Sequence, residues 1–170
     1  ISLRRGNSQS RLLISLGTDF DQFSKINVAL ADGEKVTTDK NYFYLLPGFR
    51  YENNYKTGRR FKVRYRSSVN MPSVNQLLPV TDYTNSLSLY SGNMDLTPEY
   101  AHNVSMMWGI FDQFSFTALF TRIGASYTQD KISFSQSVND DFTNEIRPVN
   151  TDYQKTLFGF LYFSTPYRPW

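Results

Sequence analysis

Cysteine is absent from this 170-residue sequence, and histidine occurs once, at His102. The chain therefore has no disulfide framework and no thiolate metal site. A single histidine disfavours both a histidine-dependent triad and a multi-histidine metal site, so we expect His102 to be structural. The acidic residues also lack the regular spacing of a calcium loop and predict a solvated loop instead: Asp130, Asp140, Asp141 and Glu145. No catalytic constellation is visible, and the sequence predicts neither an enzyme nor a bound cofactor.

Long apolar runs are also missing, since no stretch reaches the roughly 18 residues of a membrane-spanning helix. This excludes a helical membrane protein but leaves a β-barrel open, because alternating strands keep the average hydropathy low. No segment resembles a signal peptide, and the chain begins at Ile1. We therefore expect either a removed signal or an excerpt of a longer protein. The net charge of +3 is too small to indicate a nucleic-acid partner.

Aromatic residues, by contrast, are abundant, with 14 Phe, 12 Tyr and 2 Trp making 16% of the chain. Such a content suits a barrel that carries aromatic girdles at the lipid boundary. An aromatic-rich β-sandwich that binds carbohydrate, soluble or attached to the surface, is the alternative.

Apolar and polar residues alternate with a period of two over most of the chain, which is typical of strands. The predicted strands are 11–30, 42–55, 61–70, 104–110, 114–137 and 153–164. Residues 1–10 are interpreted as a turn or a cut end. The connections alternate between long and short, at 31–41, 56–59, 70–101, 112–113 and 136–152. Up-and-down outer-membrane barrels show this alternation, with long extracellular loops and tight periplasmic turns.

Three irregularities are expected inside these strands. The apolar pattern slips near residues 21–24, which indicates a bulge. Pro47 cannot donate a ladder hydrogen bond, so its strand has a bulge or lies at an edge there. In 114–137 the apolar parity changes from Phe120 to Ile123 and again before Ile132, and each change predicts a further bulge.

The longest polar stretch runs from Ser68 to His102. It contains Pro72, Pro79, Pro98 and a Gly92-Asn93 turn, and it follows neither the strand nor the helix period, so it is predicted to be a loop. Structureless loops longer than about 12 to 15 residues are uncommon in compact domains unless they are functional or disordered. We therefore interpret this loop as the working part and its flanking strands as the scaffold.

Two parts of the loop, Met71-Pro72-Ser73-Val74-Asn75-Gln76-Leu77 and Gly92-Asn93-Met94-Asp95-Leu96-Thr97-Pro98-Glu99-Tyr100, carry a resemblance. They are similar to a passage in the barrels of TonB-dependent outer-membrane receptors, where a "PS.NQL" segment is followed by "GNP.L.PE". The likeness is strongest to the outer-membrane β-barrel branch found in gut and environmental Gram-negative bacteria. It covers roughly residues 11–153, and Met94 departs from it where the family usually has Pro.

The resemblance implies a barrel of about 22 strands around an N-terminal plug. It implies binding of a scarce nutrient, such as an iron chelate, a cobalamin or a glycan, and import driven through TonB. The expected partners are outer-membrane lipid, the TonB system through a plug domain absent here, a small nutrient ligand and a surface lipoprotein. Nucleic acid is not expected as a partner.

The family-signature residues are expected near the rim or inner wall: Pro72, Asn75, Gln76, Leu77, Gly92, Asn93, Leu96, Pro98 and Glu99. We expect them to shape the loop first and to contact ligand second. Pro72 and Pro98 would fix the entry and exit of the loop. Asn75, Gln76 and Glu99 carry the polar groups that could hold a plug or the rim.

The strand 61–70 places Lys62, Arg64 and Arg66 on one face, opposite an apolar face with Phe61, Val63 and Tyr65. In a barrel such charges cannot face lipid, where each would cost about 2 to 4 kcal/mol at the midplane. They would line the lumen and pair with acidic groups of a plug or bias passage toward anions. The alternatives are a solvated face of an ordinary sheet and, less favoured, nucleic-acid binding.

These observations predict an all-β, antiparallel, up-and-down barrel segment of an outer-membrane transporter, located in the bacterial outer membrane. Residues 1–170 are expected to be one such segment without a plug domain, because six or seven strands cannot form the complete wall. Its expected function is TonB-dependent nutrient uptake without catalysis. A barrel enzyme such as a lipase is disfavoured by the context of His102.

Overall fold

The structure, a computed structural model, describes residues 2–6, 11–29, 35–77, 81–82, 88–138 and 142–167. These residues form nine strands and one short helix. The strands are β1 (Ser2–Gly6), β2 (Arg11–Ala29), β3 (Lys35–Lys56), β4 (Arg59–Asn70), β5 (Thr81–Asp82), β6 (Ser88–Ser91), β7 (Glu99–Asp112), β8 (Thr117–Val138) and β9 (Asn144–Ser164). The helix α1 (Val74–Leu77) lies between β4 and β5.

All nine strands belong to one sheet in the order β1-β2-β3-β4-β7-β8-β9-β6-β5. Neighbours are antiparallel, except that β6 runs parallel to β9 over Ser88–Tyr90 and Asn144–Ile146. Among the described residues no second sheet covers this one, so the β-sandwich alternative has no counterpart. The predicted all-β, antiparallel up-and-down fold is confirmed, with β6 and β9 as the one parallel pair among the described strands.

Within the described ranges, no helix has the length and the apolar character that crossing a membrane requires.

Several polar segments predicted to be loops are strands. Residues 35–41 belong to β3, and 144–152 belong to β9, where they pair with the end of β8. At the N-terminus, Ser2–Gly6 forms β1 rather than a turn or cut end. A hairpin partner supplies backbone hydrogen bonds whatever the side chains are, so strands extend beyond the point where the apolar pattern stops. Residues 30–34 and 139–141 lie outside the described ranges.

Some of the predicted strand irregularities are present in the structure and others are not. A register shift occurs in β2 between Ser24 and Ile26, just after the expected slip. Pro47 keeps its register with β2. The ladder between β3 and β4 ends at the pair Gly48 and Arg66, so it does not include Pro47. The edge alternative for Pro47 is therefore correct, because the part of β3 that precedes Gly48 has no β4 neighbour.

Before Ile132, where the second bulge of β8 is predicted, Asp130 has a left-handed backbone with φ 51° and is skipped in the pairing with β9. The register does not shift there, and the first bulge predicted in β8 is wrong. The pairing of β8 runs without a register shift from Thr117 to Gln129 along β7 and from Ala118 to Val138 along β9. The change in apolar parity has another cause, because the two faces of the sheet are apolar at different heights. Phe120 lies on one face near the first residues of β8, and Ile123 lies on the other face farther along the strand.

Regular pairing gives the central sheet two different faces. We call one the apolar face, formed by Phe61, Val63, Tyr65, Val104, Met106, Trp108, Ile123, Ala125, Leu157 and Leu161. The other is the basic face, with Arg50, Lys62, Arg64, Arg66 and Arg122. Each set spans several strands because cross-strand partners always point to the same side.

On the basic face, aromatic rings cover glycines of the neighbouring strand. The Phe158 ring lies over Gly124, and a Cβ placed on that glycine would collide with it. The Phe120 ring lies over Gly109 in the same way, at 3.3 Å from such a Cβ. Aromatic side chains that cover a cross-strand glycine restore the packing that the glycine lacks.

The turn between β3 and β4 depends on Gly58. Its φ is 76°, a left-handed conformation that L side chains rarely adopt, and a Cβ there would collide with the Phe111 carbonyl. The Phe111 amide donates to the Gly58 carbonyl at 2.7 Å, so the turn is bonded to β7.

We expect Gly58→Ala to destabilise the protein by more than the roughly 1 to 3 kcal/mol of a strained backbone alone, because the Phe111 carbonyl must also move. Thermal unfolding in detergent, followed by the heat-dependent shift of the band on SDS gels, measures the effect. Gly159→Ala is the control, since nothing lies within 4 Å of a Cβ at Gly159. Equal midpoints for the two variants would contradict this account of the turn.

Candidate functional site

The stretch between β4 and β7 is folded, which corrects the prediction of a loop without regular structure. It contains α1, β5 and β6, while its ends belong to β4 and β7. Residues 78–80 and 83–87 lie outside the described ranges. A loop of this length can acquire order when it finds side-chain and strand partners elsewhere in the fold, here on β8 and β9.

Ser73 and Gln76 start the helix α1 as a capping box. Gln76 Oε1 accepts from the Ser73 backbone N–H at 2.9 Å, and Ser73 Oγ accepts from the Gln76 backbone N–H at 3.4 Å. This reciprocal pair satisfies two backbone donors that a helix start leaves open. The "PS.NQL" resemblance therefore contains a local folding signal.

Leu77 and Leu96 form the small core beneath the loop, with exposed fractions of 4% and 1%. They pack together and against Ile132 of β8. Pro98 and Pro148 are fully buried beside the loop path. Two distant parts of the motif thus meet on one side of the sheet.

Asn93 joins three parts of this region. Its Nδ2 donates to the Pro148 carbonyl at 3.0 Å, and its backbone N–H donates to the Gln76 carbonyl at 2.7 Å. Its Oδ1 accepts from the Asp95 backbone N–H at 3.0 Å and from Arg147 Nη2 at 3.3 Å. One residue, through its backbone and its side chain, therefore connects α1, the loop and β9.

Asn150 of β9 holds the loop from the other side. Its Oδ1 accepts from the Thr97 backbone N–H at 2.9 Å. Its Nδ2 donates to the Thr97 carbonyl at 3.0 Å and to the Asp130 carbonyl at 2.6 Å. Sequence reasoning missed Asn150, because a single Asn within a polar segment carries no distinguishing local signal.

Glu99 is buried where the loop enters β7. Its carboxylate accepts from Asn70 Nδ2 at 3.1 Å, from Lys131 Nζ at 2.8 Å and from the Ile132 backbone N–H at 2.9 Å. Only 8% of its side chain is exposed, whereas Lys131 is 34% exposed. Lys131 was not among the predicted site residues.

Burial raises the pKa of Glu99, but the hydrogen bonds from Lys131, Asn70 and Ile132, together with the Lys131 charge, outweigh it. The pKa therefore lies below its ordinary value of 4.5. The ionised carboxylate is the form that the folded loop favours.

The structure brings most of the family-signature residues into this one region. Pro72 and Gly92 are buried near its edges, in addition to the residues described above. Asn75 is the exception, since its side chain is exposed. Its carbonyl accepts from the Tyr90 hydroxyl at 3.4 Å. Asn70 and Glu99 pair with each other on the basic face, so the loop is fastened on that side of the sheet.

The basic face has a high density of positive charge. Arg50 and Arg64 are directly opposite each other on β3 and β4, and Arg66 follows on the same face. Arg50 bonds to Glu52 at 2.7 Å, while its Nε is buried without a hydrogen-bond partner among the described residues. All three arginines line a cleft of about 700 Å³ that opens where β3 and β4 diverge. Ser67 Oγ spans this opening and donates to the Pro47 carbonyl at 2.8 Å.

His102 lies on the apolar face, away from this region. It is hydrogen-bonded through Nδ1 to the Tyr65 hydroxyl at 2.8 Å. Throughout the described ranges, no group of three or more His, Cys, Asp or Glu residues could hold a metal ion. The geometry around His102 is that of an aromatic cluster.

We expect Glu99→Gln to weaken the attachment of the loop at neutral pH by about 1 to 3 kcal/mol. The change removes the negative charge that accepts the hydrogen bond from the partly exposed Lys131. Hydrogen exchange of the Ile132 and Thr97 amides should speed up. Asp95→Asn is the matched control, since Asp95 is an exposed carboxylate in the same loop. Unchanged exchange in Glu99→Gln would contradict this role of the carboxylate.

The same contacts predict a pH dependence with a defined sign. Since the folded pKa of Glu99 lies below 4.5, its stabilisation is complete above that pH and is lost as the pH falls through the folded value. The wild-type loop should therefore exchange faster as the pH is lowered below about 4.5, after correction for intrinsic rates. Glu99→Gln should lack this component, and an equal acid response in both proteins would refute the assignment.

Comparison with known proteins gives three findings. The family model described as "Outer membrane protein beta-barrel family" matches residues 21–170. The solved structure of a double mutant of the Serratia marcescens hemophore receptor HasR, in complex with its hemophore HasA and heme, is similar to the chain with a TM-score of 0.61 at 12% identity. No curated protein matches.

The structural match covers 94% of this chain and 30% of the HasR chain, so the chain spans under a third of that receptor. At this identity the likeness shows the fold, which is that of an outer-membrane barrel. The family match covers most of the chain and confirms the resemblance inferred from the loop residues. The chain therefore belongs to the outer membrane protein beta-barrel family, and the protein is located in the bacterial outer membrane.

Proposed function

We propose that this chain forms part of the wall of an outer-membrane receptor that imports a scarce nutrient with energy supplied through TonB. The observation that carries the proposal is the single two-faced sheet, with a folded loop fastened on its basic face. A wall between lipid and a polar interior requires these two faces. No catalytic step is part of the proposed function.

The apolar face fits contact with lipid. On β7 it runs from His102 through Val104, Met106 and Trp108 to Ile110 without a charged residue. These eight residue steps span about 26 Å along the strand, or about 20 Å across the membrane at the usual strand tilt. That height approaches the roughly 25 Å apolar band of outer-membrane barrels.

The basic face fits the interior of the barrel. Each of Lys62, Arg64 and Arg66 would cost about 2 to 4 kcal/mol if it faced the centre of the lipid layer, so the opposite orientation of the sheet is excluded on energetic grounds. Acidic groups of a plug domain would satisfy these charges. The buried Arg50 Nε and the adjoining cleft indicate where such groups would contact the wall.

The fastened loop fits a rim above the membrane. It continues β4 and β7 beyond the apolar band and lies on the side of the proposed interior. We propose that it shapes the entrance used by the nutrient, which would be an iron chelate, a cobalamin or a glycan. HasR itself is a hemophore receptor bound to hemophore and heme, and a surface lipoprotein is the corresponding kind of partner proposed here.

The import proposal is tested by uptake in cells that lack the protein. Three labelled probes are compared: a ferric hydroxamate chelate, cyanocobalamin and maltoheptaose. Deletion should lower the uptake of one probe, complementation should restore it, and a protonophore should abolish the restored uptake, because TonB depends on the proton gradient. Unchanged uptake of all three probes, or restored uptake that persists with the protonophore, would contradict the proposal.

The basic face is tested by the double change Arg64→Gln and Arg66→Gln. We expect the barrel to fold, since both side chains are exposed, and the complemented uptake to fall at least about tenfold, because two charge-assisted contacts of about 1.5 to 3 kcal/mol each are removed. Lys56→Gln is the control, as its charge lies at the turn between β3 and β4. Normal uptake by the double variant would show that these arginines do not hold a functional partner.

A further inference from the structure

A connected group of rings lies on the apolar face, and we call it the ring cluster: Tyr65, Tyr100, His102, Tyr127 and Tyr153. His102 is its centre, with ring centroids 4.3 Å from Tyr100, 6.2 Å from Tyr65 and 6.4 Å from Tyr127. Tyr153 continues the cluster at 6.0 Å from Tyr127. The cluster crosses β4, β7, β8 and β9 at the end of the apolar band nearest the folded loop.

Lys155 provides the positive charge of this region. Its Nζ lies 4.8 Å from the Tyr153 ring centroid and 5.8 Å from that of Tyr127, within the range of cation–π interaction. The side chain is exposed. The ion pairs among the described residues are Arg50–Glu52 and Lys131–Glu99, and neither of them involves Lys155. The charge is thus held in place by rings and remains open to an anion.

A groove of about 480 Å³ is lined by this lysine and by rings of the cluster, those of Tyr65, His102 and Tyr127. Val104, Ala125 and Leu157 form its apolar part, and Tyr65, His102 and Lys155 lie at the polar part. Its volume is within the roughly 300 to 1,000 Å³ of ligand sites. An apolar trough that ends in a fixed ammonium group and hydroxyls fits an amphiphile with a negative head.

We propose that this groove binds one lipid molecule with an anionic headgroup. The headgroup contacts Lys155, and an acyl chain lies along Val104, Ala125 and Leu157. Basic side chains at a membrane surface attract anionic lipids, while tyrosines at the same level contact the interface through their hydroxyls. The inference rests on the proposed contact of the apolar face with lipid.

Native mass spectrometry of the detergent-purified protein tests this site, with dioleoylphosphatidylglycerol as the anionic probe and dioleoylphosphatidylcholine as the zwitterionic one. We expect the anionic lipid to bind about fivefold more tightly, the effect of one basic residue near a membrane surface. Lys155→Gln should remove this preference, and Lys155→Arg should retain it. Lys56→Gln should leave it unchanged, because Lys56 lies at the opposite end of the wall.

Ala125→Leu tests the apolar part of the site separately from Lys155, because it narrows the groove. It should weaken the binding of both lipids without changing the ratio of their affinities. A preference that survives Lys155→Gln would overturn the proposal, as would displacement of the anionic lipid by millimolar inorganic phosphate. Failure of both lipids to bind would show instead that the apolar face does not contact lipid. Since nutrient uptake is not measured, a wrong import proposal would leave these results unaffected.

Discussion

Every backbone N–H and C=O in a wall that crosses an apolar layer needs a hydrogen-bond partner, and the sheet of this protein depends on that constraint. β4, β7 and β8 have neighbours on both sides, and their pairing keeps one register except next to the β3–β4 turn, where it shifts between Asn54 and Lys56. An uninterrupted register fixes which side chains share a face. The separation of arginines from the opposite apolar face follows from this regularity.

The same constraint explains where sequence reasoning succeeded. In β4 the alternation of Phe61, Val63 and Tyr65 with the basic residues was sufficient to predict the strand and its two faces. Prediction was also possible for the β3–β4 turn at Gly58, because turn chemistry is local. The family resemblance contributed what the pattern could not, namely that the two halves of one long polar stretch belong together.

The errors share one physical cause. In β8 the switch from Phe120 to Ile123 predicts a bulge only if one face of the sheet stays apolar along the whole strand. The described strand is longer than the apolar band, so different parts of it have different surroundings. Polar residues such as 144–152 pair as well as apolar ones when the neighbouring strand is present. A single sequence does not show that neighbour.

The folded loop also restricts how the wall can continue beyond β9. β6 occupies the outer edge of β9 at Asn144–Ile146, with β5 beyond it. A further wall strand could therefore pair with β9 only below that level, since each edge accepts one neighbour. Asn93 and Arg147 lie at this boundary, joined at 3.3 Å. The contacts that fasten the loop thus coincide with the upper limit of pairing along β9, so the height of the wall and the position of the rim are set by the same residues.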